Sequence, residues 1–202
     1  MERLSRELAF LLTLDRLKEV QRQSYTLAGR HENSAEHSWH VAVAAMLLSE
    51  HAKEPVNLLR VLEMLLIHDV VEIEAGDTYV YDEDARKKQE EKEKQAAEKL
   101  FAQLPEDQSR HWWELWQEFS AGTSPEARFA RSLDRLLPVL LNVATEGRSW
   151  QEHGVRASQV LARNAEVAAG SPALWEVVQK LVAEAQARGF LASDGETQAP
   201  KG

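Results

Sequence analysis

The spacing of the apolar residues constrains the fold of this chain more than any other feature, because they recur mostly at intervals of three and four. This is the period of a helix that buries one face, whereas a half-buried strand alternates apolar and polar residues. No clear alternating run is found, and only 9 glycines and 6 prolines interrupt the 202 residues. The sequence therefore predicts an all-α fold, a bundle of about seven or eight helices.

Eight segments carry the helical period. The predicted helices cover residues 3–21, 35–53, 56–74, 82–103, 105–120, 124–146, 150–168 and 171–188. Capping side chains, helix-opening prolines and a helix-ending glycine mark several of their ends. These signals are Asn33-Ser34, Pro55, Gly76, Thr123 or Ser124 before Pro125, and Ser171 before Pro172. With no linker or internal repeat, we expect one domain over 1–190 and a flexible tail over 191–202.

The composition narrows the class of protein. A net charge of −9 disfavours binding to a nucleic acid polymer, which needs a basic face, but does not exclude a small anionic substrate. The chain has no cysteine, so disulfides and thiolate zinc sites are excluded. No apolar stretch reaches the roughly 18 residues of a membrane span, and the N-terminus does not resemble a signal peptide. These features favour a cytoplasmic protein that does not bind membranes.

Two conspicuous segments supply no candidate site. The charged run from Asp82 to Lys99 is typical of a solvated helix with ion pairs four residues apart. Trp112, Trp113 and Trp116 have a spacing that suits packing or an interface more than base stacking. We therefore look for the chemistry elsewhere.

The candidate site centres on His68 and Asp69, which lie inside the apolar run VLEMLLIHDVVEIEAGD. Two polar groups in a buried helix are costly unless something satisfies them, and a divalent metal would do so. Imidazole and carboxylate suit Mn, Co, Fe, Ni or Zn, and Mg if water completes its shell. Glu72 can lie on the same helix face, and Asp77 follows at the predicted helix end. Such further carboxylates can orient or deprotonate an attacking water.

Two more candidate ligands lie in other helices. His37 stands near the start of an apolar helix in SAEHSWH, and Asp134 interrupts the apolar stretch EARFARSLDRLLPVL. Each has an ordinary alternative, because His37 could be a core or capping histidine and Asp134 could pair with Arg131 or Arg135. Their positions alone leave these alternatives open.

The order of these residues resembles the H…HD…D signature of the HD-domain phosphohydrolase superfamily. The words AEHSW, HDVVEIEAGD and EARFARSLDR are similar to the subgroup that contains the YfbR-type 5′-deoxynucleotidases and their HD-domain-containing relatives. The resemblance covers roughly residues 10–165. It implies a helical HD domain, one divalent metal ion, and hydrolysis of a nucleoside 5′-monophosphate to a nucleoside and phosphate.

The resemblance also implies roles for individual residues. The four metal ligands that it implies are His37, His68, Asp69 and Asp134. Glu72 matches the residue that positions the water or acts as acid and base, and Asp77 matches a carboxylate near the substrate sugar. Arg22 matches an arginine that binds the substrate phosphate, a role that suits the guanidinium fork. The family pattern does not require His40 as a ligand, and only His111 lies between Asp69 and Asp134, so one metal is expected.

Gln23 is a departure from the pattern. In the YfbR-type enzymes a tryptophan follows the phosphate arginine and contributes to sugar selection, so the sugar preference of this chain is open. Other phosphomonoesters, nucleotide triphosphates and cyclic esters are alternative substrates, since specificity depends on pocket shape. A non-catalytic nucleotide-binding or scaffold protein is a further alternative, although the presence of Glu72 and Asp77 argues against it. The resemblance implies a homodimer, with residues 112–116 and the C-terminal helix as candidate contact surfaces.

Overall fold

The computed structural model describes residues 1–76 and 83–192, and nearly all of this part is helical. Its α-helices are α1 (Glu2–Asp15), α2 (Ser34–Leu48), α3 (Leu58–Ile67), α4 (Glu72–Ala75), α5 (Glu83–Phe101), α6 (Glu106–Ala121), α7 (Pro125–Ala144), α8 (Arg148–Glu152), α9 (Ala157–Asn164), α10 (Val167–Gly170) and α11 (Pro172–Ala187). Short 3₁₀ turns cover Arg16–Glu19, Ser49–His51 and His68–Val71, and an antiparallel hairpin pairs β1 (Gln21–Tyr25) with β2 (His31–Asn33). The predicted all-α fold is confirmed. The predicted tail over 191–202 lies almost wholly outside the described residues.

Side-chain caps fix several helix ends at the predicted places. Asn33 accepts a hydrogen bond from the Glu36 backbone N–H, and the Glu36 carboxylate accepts one from the Asn33 N–H, which forms a complete capping box. Ser124 and Ser171 each accept from the backbone N–H three residues later. Gly76 ends α4 in a positive-φ conformation that an L side chain rarely adopts. Pro55 does not open α3, because the cap is Asn57, whose side chain accepts from the Arg60 N–H.

The hairpin replaces the end of the first predicted helix. The helical period predicts a helix over 3–21, but α1 ends at Asp15 and the chain becomes extended at Gln21. The Thr26 N–H donates to the Arg30 carbonyl to close the hairpin. The Tyr25 hydroxyl donates to Glu152, 127 residues away. These contacts are remote in sequence, so the local apolar period cannot reveal them.

Two other predicted helices are interrupted. The segment predicted as a helix over 56–74 is divided by the 3₁₀ turn His68–Val71, which places the candidate His-Asp pair on a tighter turn. The segment predicted over 150–168 contains three short helices, α8 to α10. A helix interior that changes its winding at a buried polar pair is typical of a functional position.

Helix α7 is the centre of the bundle, since it packs against α2, α3, α6, α10 and α11. Its buried face includes Phe129, Leu133 and Leu136, which are exposed by at most 2%. Burial of apolar side chains on this scale is the main force that holds a domain of this size together. A side chain on α7 is therefore held by packing from most of the bundle.

The two segments predicted as dimer contacts also pack against the rest of the chain. Trp112 packs edge-on against the rings of Phe10 and Phe101, and Trp116 is buried. Helix α11 buries its apolar face in the core through the residues Leu174, Val178, Val182 and Ala185. Both segments bury apolar side chains within the chain, while Val177 of α11 is 39% exposed, and the dimer contact stays a prediction. Among the helices of the described residues, none is long and apolar enough to cross a membrane.

Candidate active site

Three of the four predicted metal ligands form a buried cluster. One ligand atom from each of His37, His68 and Asp69 lies within 4.8 Å of the others. His37 comes from α2, whereas His68 and Asp69 come from the 3₁₀ turn after α3. Asp134 on α7 completes the group, because its Oδ1 atom lies 2.9 Å from His37 Nε2 and 3.6 Å from His68 Nε2. The fold thus brings together residues that are up to 97 positions apart.

The chemistry of His68 fits a cation at this place. Its Nδ1 atom lies 2.8 Å from the Leu65 carbonyl, and since a carbonyl only accepts, Nδ1 carries the proton. Nε2 then faces Asp69 Oδ1 at 3.1 Å and Asp134 Oδ1 at 3.6 Å, without a well-formed hydrogen bond. A buried imidazole lone pair beside two carboxylates is unfavourable unless a positive charge lies between them. A divalent metal ion would supply that charge, so these residues could hold one.

The pKa values of His68 and Asp134 in the protein without a metal also indicate that this position favours a positive charge. Burial lowers the pKa of His68, but the charges of Asp69 and Asp134 more than offset it and raise that pKa to about 9. Burial likewise raises the pKa of Asp134, but the hydrogen bond to His37 and the nearby His68 ring hold it well below its usual value. A proton on His68 therefore occupies the position of positive charge that a metal ion would take.

Glu32 is a buried residue that the sequence analysis did not assign to the site. Its Oε2 atom lies 3.4 Å from His37 Nδ1 and 3.8 Å from Arg22 Nε, and the side chain is only 4% exposed. A carboxylate behind the outer nitrogen of a metal-ligating histidine fixes the tautomer and the ring orientation. The sequence gives only a weak signal for this role of Glu32, because the hairpin that turns its side chain inward was not predicted.

Glu72, the predicted acid or base, lies beside the cluster at the start of α4. It is buried, and its Oε2 atom accepts a hydrogen bond of 2.5 Å from the hydroxyl of Ser34, a residue that is fully buried. Its Oε1 atom lies 4.0 Å from Arg22 Nη1. Ser34 was predicted only as part of a helix cap, yet it also orients this carboxylate. The geometry leaves Glu72 on the wall of the cavity described below.

Arg22, the predicted phosphate ligand, reaches the same cluster from β1. Its Nη1 atom donates to Asp69 Oδ2 at 2.6 Å, and its side chain is 14% exposed. The neighbouring Gln23 is half-buried and is not among the described residues that line the cavity. Asp77 lies outside the described residues. The structure therefore brings Arg22 and Glu72 to the four candidate ligands.

A cavity of about 560 Å³ opens beside the cluster. Its wall includes His68, Asp69 and Asp134, so a ligand in the cavity can reach the candidate metal position. Trp113 and Trp116 also line it, with ring centroids 5.6 Å apart. These two tryptophans were predicted to serve packing or an interface. The structure shows that they also line the cavity. The volume is in the range of small-molecule sites.

The other histidines stand apart from this cluster. His40 lies one turn along α2 and stacks beside Trp39, with 6.0 Å between ring centroids. His111 lies 3.6 Å from Glu63 on the surface, and both side chains are more than a third exposed. Within the described residues, neither belongs to a group that could hold a second ion.

The fold and this site define a helical domain with a buried His/Asp group that could bind a metal. The HD domain family model matches residues 14–175, which is most of the chain. The chain therefore belongs to the HD domain family, as its sequence motif predicted.

Individual relatives agree with this family. The chain is 30% identical over 135 residues to the human 5′-deoxynucleotidase HDDC2, and 26% identical over 132 residues to 5′-deoxynucleotidase hdd1 of Schizosaccharomyces pombe. These matches cover 66% and 62% of this chain, and about 65% of the length of each relative.

Solved structures extend the likeness across the domain. A crystal structure of a predicted metal-dependent phosphohydrolase from Magnetospirillum magnetotacticum is 46% identical, with a TM-score of 0.90. The alignment covers 95% of this chain and 96% of that one. The PH0347 protein from Pyrococcus horikoshii is 19% identical with a TM-score of 0.60, and covers 86% of this chain and 99% of its own. At that identity the second structure shows a shared fold alone.

Proposed function

We propose that this protein is a metal-dependent phosphohydrolase that releases inorganic phosphate from nucleoside 5′-monophosphates. The observation that carries the proposal is the cluster of His37, His68, Asp69 and Asp134, three of which line a cavity. The names of the human and fission-yeast relatives, and that of the 46% identical structure, support the same reaction class. The proposed metal is one divalent ion, drawn from Mn, Co, Mg, Zn, Ni and Fe.

The residues around the cluster suit hydrolysis of a phosphate ester. A bound divalent ion supplies Lewis-acid chemistry, which draws charge from the phosphoryl group and acidifies water. Glu72 is the residue that accepts a proton from the attacking water, and the hydrogen bond from Ser34 holds one of its oxygens in place. Arg22 holds the phosphate when its fork exchanges Asp69 for phosphate oxygens.

The reaction balances with these groups. Water adds to phosphorus, the bond from phosphorus to the sugar 5′ oxygen breaks, and the nucleoside leaves after its oxygen gains a proton. We assign Asp77 to the sugar side of the site, and Gln23 to the choice between deoxyribose and ribose, both from the family pattern. The cavity is wide enough for a nucleoside beside the phosphate position.

We extend the proposal to the setting of the enzyme. The chain acts as one HD domain over residues 1–190, with a flexible tail over 191–202, as a homodimer in the cytoplasm. The absence of cysteine and the acidic net charge of −9 support a reducing compartment and a small-molecule substrate. The family resemblance supports the dimer.

The test is phosphate release by metal-stripped protein, with each of the six metals added back in turn. The substrates are the 5′-monophosphates of deoxynucleosides and nucleosides, together with simple phosphomonoesters. We expect release that depends on the metal and falls at least about a hundredfold in Asp69→Ala. Asp107→Ala is the matched control, since it removes an exposed aspartate that pairs with Arg3 on the surface. Metal-independent release, or no release from any nucleotide with any metal, would overturn the proposal.

A further inference from the structure

One wall of the cavity carries three arginines that the proposed monophosphate reaction does not use. Helix α7 places Arg131 and Arg135 three residues before and one residue after Asp134, so all three side chains line the same cavity. Arg163 on α9 joins them on that wall. Apart from Asp69 and Asp134 of the cluster, the acidic lining residues are Glu72 from α4 and Glu90 and Glu93 from α5. Three of the five lysine and arginine residues that line this cavity therefore come from α7 and α9.

A single carboxylate serves two of these arginines. Glu166 accepts from Arg131 Nη2 at 2.6 Å through one oxygen and from Arg135 Nε at 2.7 Å through the other. Burial raises the pKa of Glu166, but the two guanidinium groups outweigh it and hold that pKa below its usual value. Two positive charges against one negative charge leave an excess of one. Such an excess beside a cavity favours an anionic ligand.

Arg135 has the donors to bind that anion. Its side chain is only 16% exposed and is held through Nε, and among the described residues no protein group accepts from its two Nη atoms. Arg131 is more fully used, because its Nη1 also donates to the carbonyls of Phe119 and Ser120. A guanidinium that is fixed through Nε presents its remaining N–H groups as a fork, which matches phosphate or carboxylate oxygens.

The position of this wall relative to the metal ligands defines the kind of ligand. The ring of Phe119 is close to both, with its centroid 4.8 Å from that of His68 and 5.9 Å from Arg131 Cζ. Arg131 Cζ therefore lies no more than about 11 Å from the centroid of the His68 ring. The 3′ and 5′ phosphates of one sugar ring fit within this distance and are separated by the sugar, whereas adjacent phosphates of a diphosphate are directly linked.

We propose that Arg135, supported by Arg131 and Arg163, forms a second anion subsite, and that the preferred substrate is a phosphomonoester carrying a second phosphate across the sugar. A nucleoside 3′,5′-bisphosphate is the nucleotide of this class. This inference rests on the proposed function, because it places the 5′-phosphate at the metal cluster. It adds a specificity determinant on the far side of the cavity.

The first experiment compares kcat/KM for deoxyadenosine 3′,5′-bisphosphate and deoxyadenosine 5′-monophosphate. We expect the bisphosphate to be preferred by about tenfold or more, and Arg135→Gln to lower that ratio by about tenfold, as loss of a charge-assisted hydrogen bond predicts. Arg110→Gln removes an exposed arginine that pairs with Glu106 outside the cavity, and it should leave the ratio unchanged. If the monophosphate is hydrolysed and the bisphosphate has no advantage, the subsite is refuted while the proposed function stands.

The second experiment measures binding of the same bisphosphate to metal-free protein by calorimetry, with thermal unfolding of each variant as a check on folding. Binding that weakens about tenfold in folded Arg135→Gln, and not in Arg110→Gln, supports the subsite even if neither nucleotide is hydrolysed. If neither the monophosphate nor the bisphosphate is hydrolysed, the proposed function is refuted, and the binding data still decide whether the subsite exists. Equal binding by wild type and Arg135→Gln, or no binding by either, would overturn the inference.

Discussion

Gly170 allows α10 to approach α7 more closely than any other residue would. A Cβ atom at this position would lie 2.2 Å from the Arg128 carbonyl oxygen and 2.4 Å from Ser132 Oγ. Ordinary contacts of this type are 3.4 Å or longer, and the nearest group is backbone, which cannot rotate away. Gly170→Ala should therefore force the two helices apart by about an ångström.

The size of the effect follows from the packing. Overfilling a close-packed contact costs about 1–3 kcal/mol, and the backbone clash places this change near the upper end of that range. Replacement of glycine by alanine within a helix returns at most about 1 kcal/mol. We expect a net loss of about 2 kcal/mol in the free energy of unfolding. For a chain of this length, that corresponds to a fall of about 4–8 °C in Tm.

Thermal and urea unfolding measure this loss directly. The matched control is Gly189→Ala, where no heavy atom lies within 4 Å of the added Cβ and only the positive φ of 76° is unfavourable. It should cost about 1 kcal/mol from backbone strain alone. A Gly170→Ala protein as stable as wild type, or more stable than Gly189→Ala, would refute the packing argument. Because the contacted residues Arg128 and Ser132 lie six and two positions before Asp134 on the same helix, metal affinity should fall in Gly170→Ala as well.

Two further changes test charged groups. Burial raises the pKa of Glu118, but hydrogen bonds from Arg60 and Ser124 outweigh burial and lower that pKa. The ionised Glu118 therefore stabilises the fold above the ordinary pKa range of Glu, and this stabilisation is lost as the pH falls through the lowered pKa. Glu118→Gln should therefore destabilise the protein at pH 7, and the difference from wild type in urea unfolding should shrink below about pH 4; a constant difference would contradict this. Glu32→Gln should weaken metal affinity about 10–100-fold by loosening His37, measured by competition with a chelator; unchanged affinity would show that Glu32 does not orient the ligand.

The sequence predicted the helical fold because its apolar period and its capping residues act locally. Asn33, Ser124 and Ser171 cap helices through bonds to residues three positions away, and such short-range bonds can be recognised in the sequence. The hairpin was missed since β1 is held by contacts to β2 and to Glu152, which no local pattern contains. The interruption at His68 was missed for a similar reason, because a buried polar pair changes the helix winding only in its tertiary surroundings.

The candidate site was predictable to the extent that its residues form a motif. His37, His68, Asp69 and Asp134 stand in a recognisable order, so they could be grouped before the structure brought them together. The residues around them have no such signal. Ser34 orients Glu72 through a contact across 38 positions, and the role of Arg135 depends on which cavity α7 faces. Residues that act through tertiary contacts need the fold to be known first.

The central claim is that the buried His/Asp cluster holds the metal on which phosphate release depends. The most direct measurement determines metal content and phosphate release on the same samples, for wild type and for His68→Ala, after stripping and reloading with a single divalent metal. The account predicts one bound ion per wild-type chain, with activity that rises in proportion to occupancy. His68→Ala should lose both the ion and the activity while its fold, followed by circular dichroism, is retained. An active protein without bound metal, or a folded His68→Ala protein that binds the ion and turns over substrate as wild type does, would contradict the account.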